Sequence, residues 1–331
     1  MPEYICTMGP SILNTEKIVE LYQLGLRTIR FNMSHIDYDI AEVLQMIRDA
    51  ERIVGNKIST MLDTCGSEIR VQMDRPRTLL IGDTLTLGEE LTLNVPYHNI
   101  LELGDVLKID DGKIIVKVIS KNPFLLSSLT NGKIKNGSGV FSEKLSRTLT
   151  FIPEKDTKSF HLAFHNDMDW VACSFVKSAE DIKNVKALRS QYPNCKTKIM
   201  AKIETREAME DLDNIIAISD GIMIARGDLG VAFPIYMITT LQNYIAGKVI
   251  AAGIPLTIGT GFLRSMKRNP IPEKAEVSDL YYAFTLTNSI MFSGETAVAD
   301  EPANILKTAN SIFKTLEDSK QKDKIYEKIF L

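Results

Sequence analysis

Short apolar runs alternate with longer segments of helical periodicity along most of this chain. The run from Gly221 to Ala225 is apolar throughout, which is typical of a strand that is buried on both faces of a parallel sheet. The segment from about residue 303 to residue 316 instead places Ile305, Ala309 and Ile312 on one face, which predicts an amphipathic helix. The alternation of these two patterns indicates an α/β protein.

Eight strands are predicted by this alternation, and a helix is expected after each of them. The strands are expected at Tyr4–Met8, Thr28–Met33, Ile58–Leu62, Trp170–Phe175, Thr197–Ile203, Gly221–Ala225, Pro255–Gly259 and Ser289–Phe292. The second helix is expected at Ile40–Val54, and either Asn14 or Thr15 can cap the first. Ser178, with Asp181 three positions later, comes close to a capping box. Eight strand–helix units favour a (β/α)8 TIM barrel.

The segment from about residue 71 to residue 150 breaks the alternation. It is rich in β-forming residues and in turn pairs, namely Gly82-Asp83, Asp111-Gly112, Asn131-Gly132 and Asn136-Gly137. This composition predicts a small all-β domain inserted after the third strand. We therefore expect the barrel at 1–70 and 151–317, an inserted β-barrel domain at 71–150, and a C-terminal tail at 318–331.

Composition and charge restrict the class of partner. The chain has 331 residues and a formal net charge of −3, and it carries no long basic block of the kind that binds nucleic acid. No apolar run is long enough to cross a membrane, and no signal peptide follows Met1. The four cysteines form no Cys-x-x-Cys pair, which suits a reducing cytoplasm. We expect a cytoplasmic protein that binds neither nucleic acid nor membrane.

Polar residues follow the apolar runs at six of the predicted strands. Lys202 and Glu204 end the fifth strand, and Asp228 follows the sixth. The other polar strand ends are Arg30–His35, Asp63–Arg70, Thr260 and Ser293–Thr296. In a barrel these ends meet at one mouth, where Glu204 and Asp228 could hold a divalent cation. Lys202 could then stand beside that cation as a point charge for a transferring phosphoryl group. The alternative is a set of buried strands with ordinary solvated ends, and the recurrence of polar ends argues against it.

Several of these stretches together resemble the pyruvate kinase family. The matching stretches are Cys6–Pro10, Arg30–His35, Leu62–Arg70, Lys202–Glu204, Ser219–Gly230 and Phe292–Thr296. The resemblance runs from Tyr4 to about Glu317, and it implies the barrel and an inserted β domain that closes as a lid. It also implies that the family's separate C-terminal domain is absent. Because that domain is expected to be absent, we expect a homodimer that lacks effector control by sugar phosphates.

The resemblance also assigns roles to single residues by their place in the motifs. By their place in the motifs, Glu204 and Asp228 are implied to be ligands of Mg²⁺ (or Mn²⁺). Lys202 is implied to stabilise the phosphoryl group during its transfer, and Arg30 to contact the phosphate. A K⁺ site is implied at Asn32, Ser34, Asp63 and Thr64. Glu68 matches the glutamate that accompanies K⁺ dependence in this family.

Substrate and nucleotide contacts are implied in the same way. Ala225, Arg226, Gly227 and Asp228 resemble the loop whose backbone faces the substrate carboxylate. Thr260 and Ser293 resemble the hydroxyls near the carbon that gains a proton, and Asn32, His35 and Arg70 resemble nucleotide contacts. The charges agree with these roles, because phosphoenolpyruvate is anionic at both ends. Two bound cations together with Lys202 and Arg30 would balance it.

The nucleotide side departs from the family pattern. The family's nucleotide-contacting lysine corresponds here to Val298, and its lysine-rich lid stretch corresponds to residues 136–141. Lys133 or Lys135 could substitute for the lid lysine, and Cys65 replaces a lysine of the third motif. We therefore expect nucleotide to bind weakly compared with phosphoenolpyruvate or its analogue oxalate.

Two classes of function remain open at this point. The first is a pyruvate kinase-like phosphotransferase that moves a phosphoryl group between phosphoenolpyruvate and ADP, or another acceptor, with Mg²⁺ and K⁺. The second is a metal-dependent 2-oxo acid lyase or decarboxylase that uses the same carboxylate pocket without nucleotide. A non-catalytic metabolite-binding relative is disfavoured because Lys202, Glu204 and Asp228 are all present. The intact set of charges favours the phosphotransferase.

Overall fold

The computed structural model describes residues 1–320, which contain 17 strands and 12 α-helices. The strands are β1 (Glu3–Thr7), β2 (Leu26–Asn32), β3 (Ser59–Asp63), β4 (Ile69–Gln72), β5 (Arg77–Leu79), β6 (Thr84–Thr86), β7 (Thr92–Leu93), β8 (Val106–Ile109), β9 (Ile114–Lys121), β10 (Phe124–Ser128), β11 (Gly132–Ile134), β12 (Gly139–Phe141), β13 (Trp170–Cys173), β14 (Lys198–Ile203), β15 (Gly221–Ala225), β16 (Leu256–Gly259) and β17 (Ser289–Phe292). The helices are α1 (Thr15–Gln23), α2 (Ile40–Val54), α3 (Glu143–Thr148), α4 (Glu154–His165), α5 (Ala179–Arg189), α6 (Arg206–Glu210), α7 (Leu212–Ile218), α8 (Arg226–Ala232), α9 (Ile238–Ala252), α10 (Lys274–Phe284), α11 (Gly294–Ala297) and α12 (Pro302–Lys320). From residue 321 onward, the predicted C-terminal tail lies outside the described residues.

Eight strands close into a barrel in the order β1-β17-β16-β15-β14-β13-β3-β2. Every neighbouring pair in this ring is parallel. The predicted α/β class and (β/α)8 TIM barrel are therefore confirmed. Because all eight strands run the same way, their carboxyl ends share one face, and Asn32 lies directly beside Asp63 in the register of β2 and β3.

Side chains that point into the barrel form a methionine-rich layer. It consists of Ile5, Met61, Ala172, Met200, Met223 and Met291. Side chains two positions apart on a strand face the same side. Asp63 and Lys202 therefore stand one layer above Met61 and Met200, toward the carboxyl ends of the strands. The apolar layer separates these charged groups from the rest of the barrel interior.

The strand and helix boundaries differ from the prediction at two informative places. The predicted fourth strand, Trp170–Phe175, ends at Cys173, because Phe175 has a φ of 54° and this left-handed conformation cannot continue a strand. The last helix does not stop near Leu316 but continues to Lys320, since neither proline nor glycine follows Leu316 to end it. The predicted bounds of α2, β15 and β17 agree with the structure.

The described chain divides into two compact units. The first contains Met1–Cys65, Lys155–Arg226 and the residues from Thr239 onward, and the second contains Gly66–Glu154 and Gly227–Ile238. The second unit holds a seven-stranded sheet in the order β6-β10-β9-β8-β12-β4-β7 and a two-stranded sheet of β11 and β5. Within it, Nζ of Lys108 donates a 2.5 Å hydrogen bond to the carbonyl of Val231 and so joins the two segments of that unit.

None of the helices in residues 1–320 combines the length and the apolar character that a bilayer-spanning helix requires.

Candidate active site

A fully buried carboxylate, Asp63, lies at the centre of the candidate site. Its Oδ2 accepts a 2.6 Å hydrogen bond from Nε of Arg30, and its Oδ1 lies 3.1 Å from Nζ of Lys202. Oδ1 also lies 3.2 Å from Oγ of Ser174. Three barrel strands thus direct polar groups onto one carboxylate, because β2, β13 and β14 bring these residues to the same end of the barrel as β3.

The charges around Asp63 determine its ionisation. Burial acts to raise the pKa of Asp63, but the positive charges of Arg30 and Lys202, with their hydrogen bonds, outweigh it and hold the pKa below the usual range. With Glu204 included, the cluster contains two cations and two carboxylates. This balance explains how four ionisable side chains are buried together.

A chain of hydrogen bonds fixes the guanidinium of Arg30. Nη1 of Arg30 donates to Oγ1 of Thr7 at 2.8 Å, and that hydroxyl donates to the carbonyl of Phe292 at 2.8 Å. The Arg30 side chain is 8% exposed. Buried and held by two neighbouring strands, Arg30 presents a fixed positive charge at the barrel mouth.

The ammonium of Lys202 lies among three oxygen-bearing side chains. Its Nζ donates a 2.6 Å hydrogen bond to Oγ of Ser174 and lies 3.5 Å from Oε2 of Glu204. The other oxygen of Glu204, Oε1, accepts a 2.6 Å hydrogen bond from the backbone N–H of Phe175. Phe175 has a left-handed conformation, which ends β13. The backbone N–H of Phe175 then points at the carboxylate of Glu204.

The residues predicted for a monovalent cation lie at the ends of two adjacent strands. Asn32 and Asp63 are the last residues of β2 and β3, and Ser34 and Thr64 come shortly after these strands. Oδ1 of Asn32 accepts a 3.3 Å hydrogen bond from the N–H of Ser34, and Oγ1 of Thr64 accepts one from the N–H of Ser174 at 3.0 Å. Amide, hydroxyl, carbonyl and carboxylate oxygens are the donors that hard cations prefer. The donor set therefore fits a cation such as K⁺.

The two carboxylates predicted for the divalent metal belong to different units. Glu204 directly follows β14 and is 2% exposed, whereas Asp228 lies in the first turn of α8 and belongs to the second unit. Both supply hard oxygen donors, which suit Mg²⁺ or Mn²⁺. Among the described residues, no group of three or more His, Cys, Asp or Glu side chains could by itself hold a metal ion.

Arg226 makes side-chain contacts that its sequence position does not indicate. Its guanidinium forms a two-pronged pair with Asp279 of α10 at 2.6 and 2.9 Å, and its Nη2 donates to the carbonyl of Thr260 at 2.8 Å. It also lies over the ring of Phe262 at 3.9 Å. Thr260 has a φ of 77°, so Arg226 holds the carbonyl of a residue in an unfavourable backbone conformation. The guanidinium of Arg226 therefore anchors the loop that carries Thr260.

The remaining predicted substrate residues lie at three other strand ends. Ala225 ends β15, and Gly227 lies in α8, which starts at Arg226. Ser293 directly follows β17, and its Oγ contacts Sδ of Met291 at 3.3 Å. Thr260 and Ser293 thus directly follow two adjacent strands of the ring, β16 and β17.

The residues predicted to contact nucleotide belong to two different units of the described chain. Asn32 and His35 lie in the first unit, where the N–H of His35 donates to the carbonyl of Asn32 at 2.9 Å. Arg70 lies in the second unit, where its Nη2 pairs with Glu68 at 2.7 Å and its Nη1 donates to the carbonyl of Gly137 at 2.9 Å.

Four site residues were missed by reasoning from the sequence. They are Thr7, Ser174, Phe175 and Asp279. Ser174 falls inside the predicted strand Trp170–Phe175, although a single hydroxyl after the apolar run Trp170–Cys173 matches the polar-end pattern of the other strands. Asp279 offered no such signal, because it lies inside a helix and far along the chain from Arg226.

Comparison with known proteins identifies the family. The model of the pyruvate kinase barrel domain matches residues 2–306. The chain belongs to the pyruvate kinase family. The pyruvate kinase of Bacillus licheniformis is 31% identical over 97% of this chain, and that of Geobacillus stearothermophilus is 32% identical over 93% of it. The pyruvate kinase of Methanocaldococcus jannaschii is 33% identical over 95% of this chain.

The matches cover nearly all of this chain but a smaller share of each relative. The match covers 58% of the Bacillus licheniformis enzyme, 55% of the Geobacillus stearothermophilus enzyme and 69% of the Methanocaldococcus jannaschii enzyme. The chain thus spans a little over half the length of the first two relatives. The family resemblance indicated by the motifs is confirmed. The relatives are pyruvate kinases, which are transferases.

Proposed function

We propose that this chain is a phosphotransferase of the pyruvate kinase type. It moves a phosphoryl group between phosphoenolpyruvate and ADP, or another acceptor, and it uses Mg²⁺ (or Mn²⁺) and K⁺. The observation that carries the proposal is the buried cluster of Arg30, Asp63, Lys202 and Glu204, with its short contacts at the ends of adjacent barrel strands. Membership of the pyruvate kinase family supports the same reaction.

The side chains of the cluster act by position and charge. Phosphoryl transfer requires little covalent chemistry from the protein, so fixed positive charges around the transferring group provide most of the catalysis. Arg30 and Lys202 are buried cations held by neighbouring oxygens, and they would bind the phosphoryl oxygens without a cost of reorganisation at the moment of transfer.

The carboxylates and neutral oxygens would hold the cations. Glu204 and Asp228 would bind the divalent cation, and Asn32, Ser34, Asp63 and Thr64 would bind K⁺, in agreement with the donor chemistry of each set. When bound, these ions would neutralise charge on the phosphate and carboxylate of the substrate.

The test uses the full chain with Mg²⁺ and K⁺ and follows phosphoenolpyruvate by ³¹P NMR with a panel of nucleoside diphosphates. We expect phosphoryl transfer to at least one acceptor, and a loss of at least about 100-fold in kcat for Lys202→Met, because a preorganised charge at a transferring group typically contributes this much. The matched control is Lys198→Met. Lys198 lies at the other end of β14, is exposed and faces Trp170, so its removal should leave kcat unchanged.

An assay without any phosphoryl acceptor distinguishes the phosphotransferase from the 2-oxo acid lyase or decarboxylase. Release of pyruvate or carbon dioxide from a 2-oxo acid substrate without nucleotide, dependent on the divalent metal, would replace the phosphotransferase by the lyase or decarboxylase. Metal binding is measured separately by Mn²⁺ electron paramagnetic resonance. Glu204→Gln should weaken binding sharply, whereas Glu180→Gln, which alters an exposed carboxylate of α5, should not.

A further inference from the structure

We propose that Ser174 is a positioning residue that fixes the ammonium of Lys202 for reaction. The inference rests on the proposed function, because it concerns how Lys202 meets the phosphoryl group. Ser174 directly follows β13 and is 2% exposed. Its hydroxyl lies between Lys202, Asp63 and Thr64.

The direction of each hydrogen bond follows from the chemistry of the groups. A lysine ammonium can only donate, so Oγ of Ser174 accepts the 2.6 Å bond from Nζ of Lys202. The single hydroxyl proton of Ser174 then has two acceptors within reach, the carbonyl of Thr64 at 2.6 Å and Oδ1 of Asp63 at 3.2 Å. The shorter distance assigns the proton to Thr64.

The backbone makes the position of this hydroxyl rigid. The N–H of Ser174 donates to Oγ1 of Thr64 at 3.0 Å, while the hydroxyl of Ser174 donates to the carbonyl of Thr64. This reciprocal pair joins the ends of β3 and β13. The N–H of the next residue, Phe175, holds Glu204. The two residues that follow β13 therefore hold both Lys202, near the end of β14, and Glu204, which directly follows β14.

A neutral anchor has a specific value beside a catalytic lysine. The lysine side chain is long and flexible, and its ammonium would otherwise lie wherever carboxylates attract it most. The distances to Asp63 and Glu204 are 3.1 and 3.5 Å, both longer than the 2.6 Å to Ser174. Because the serine hydroxyl carries no charge, it orients the ammonium without neutralising it, and the positive charge stays available to an anion.

The first experiment compares kcat and KM in three variants of the full chain. Ser174→Ala removes the hydroxyl, and Ser174→Cys keeps a similar volume with a poor acceptor. Ser219→Ala is the control, because Ser219 is also buried and its Oγ donates to the carbonyl of Ile215 within α7. We expect both Ser174 variants to lose about 10- to 100-fold in kcat with the KM for phosphoenolpyruvate changed less than about threefold. That loss corresponds to roughly 1.4–2.7 kcal/mol of transition-state stabilisation. The control should match the wild type.

The second experiment observes the ammonium directly and needs no activity. ¹⁵N NMR of the lysine side chains detects ammonium groups that exchange slowly with water, and Lys202→Arg identifies the Lys202 signal. We expect Ser174→Ala to shift or remove that signal and Ser219→Ala to leave it in place. Thermal unfolding of each variant, followed by circular dichroism, separates these effects from loss of fold.

The two experiments distinguish failure of this inference from failure of the proposed function. If the wild type transfers no phosphoryl group to any acceptor, the proposed function fails, and the NMR result alone still decides whether Ser174 holds Lys202. A folded Ser174→Cys variant with wild-type kcat, or an unchanged Lys202 signal in Ser174→Ala, overturns the inference. Equal losses of kcat in the Ser174 and Ser219 variants would also overturn it, because they would show a general effect of packing.

Discussion

Replacement of Asp63 by asparagine should destabilise the barrel more than replacement of either of its cationic partners. Asparagine would keep the size of the side chain, but Asp63 is the carboxylate that balances both Arg30, at 2.6 Å, and Lys202, at 3.1 Å. Removing one member of a buried ion pair costs about 3–5 kcal/mol, because the other charge is left uncompensated. The Asp63→Asn variant leaves two such cations with Glu204 as the remaining carboxylate of the cluster, so we expect a loss in the upper part of that range.

The Arg30→Met variant provides the internal comparison. It removes one cation but leaves Asp63 in contact with Lys202 and with Oγ of Ser174. The loss should therefore be smaller, about 3 kcal/mol, at the lower end of the range for breaking a buried ion pair. Asp49→Asn is the surface control, because Asp49 and Arg52 form an exposed pair that should contribute less than about 1 kcal/mol.

Urea unfolding measures these differences. The single tryptophan of the chain, Trp170, begins β13, so its fluorescence reports on the barrel. With a slope of about 3 kcal/mol per molar urea, a loss of about 4 kcal/mol moves the midpoint by more than about 1 M. A midpoint for Asp63→Asn within about 0.2 M of the wild type, or above that of Arg30→Met, would refute the proposed balance of charges.

Three further predictions follow from other parts of the structure. Asp279→Asn removes the paired partner of Arg226, and we expect about 1 kcal/mol less stability in urea unfolding, since Asp279 is partly exposed; an unchanged midpoint would contradict the anchoring role of Arg226. Burial raises the pKa of the Cys173 thiol well above its usual range, so the thiol stays neutral at pH 8. We expect mass spectrometry to find no alkylation by iodoacetamide at Cys173 in the folded protein, whereas the half-buried Cys65 and Cys195 react. Val298 is 58% exposed, and Val298→Lys should tighten ADP binding about tenfold in calorimetry through one new contact to phosphate, with oxalate binding as the unchanged reference.

The barrel, and most of the strand ends at which chemistry was expected, follow from the pattern of residues along the chain. Buried parallel strands appear as short apolar runs, and the bounds of β15 and β17 could be read directly because polar residues stop each run. The (β/α)8 fold then requires the polar ends to meet at one face. That requirement is enough to predict that Asp63, Lys202 and Glu204 lie together. The family motifs added the proposed roles of these residues.

The partners that hold those residues in place are visible in the folded barrel alone. Thr7 and Phe292, which orient Arg30, are 285 positions apart, and Ser174 lies 110 positions from Thr64. Periodicity reports which face of a strand is buried, but it carries no information on which side chain of another strand lies opposite. The register of eight closed strands sets those pairs. The left-handed turn at Phe175, which ends β13 and directs an N–H at Glu204, likewise depends on contacts that form only in the folded barrel.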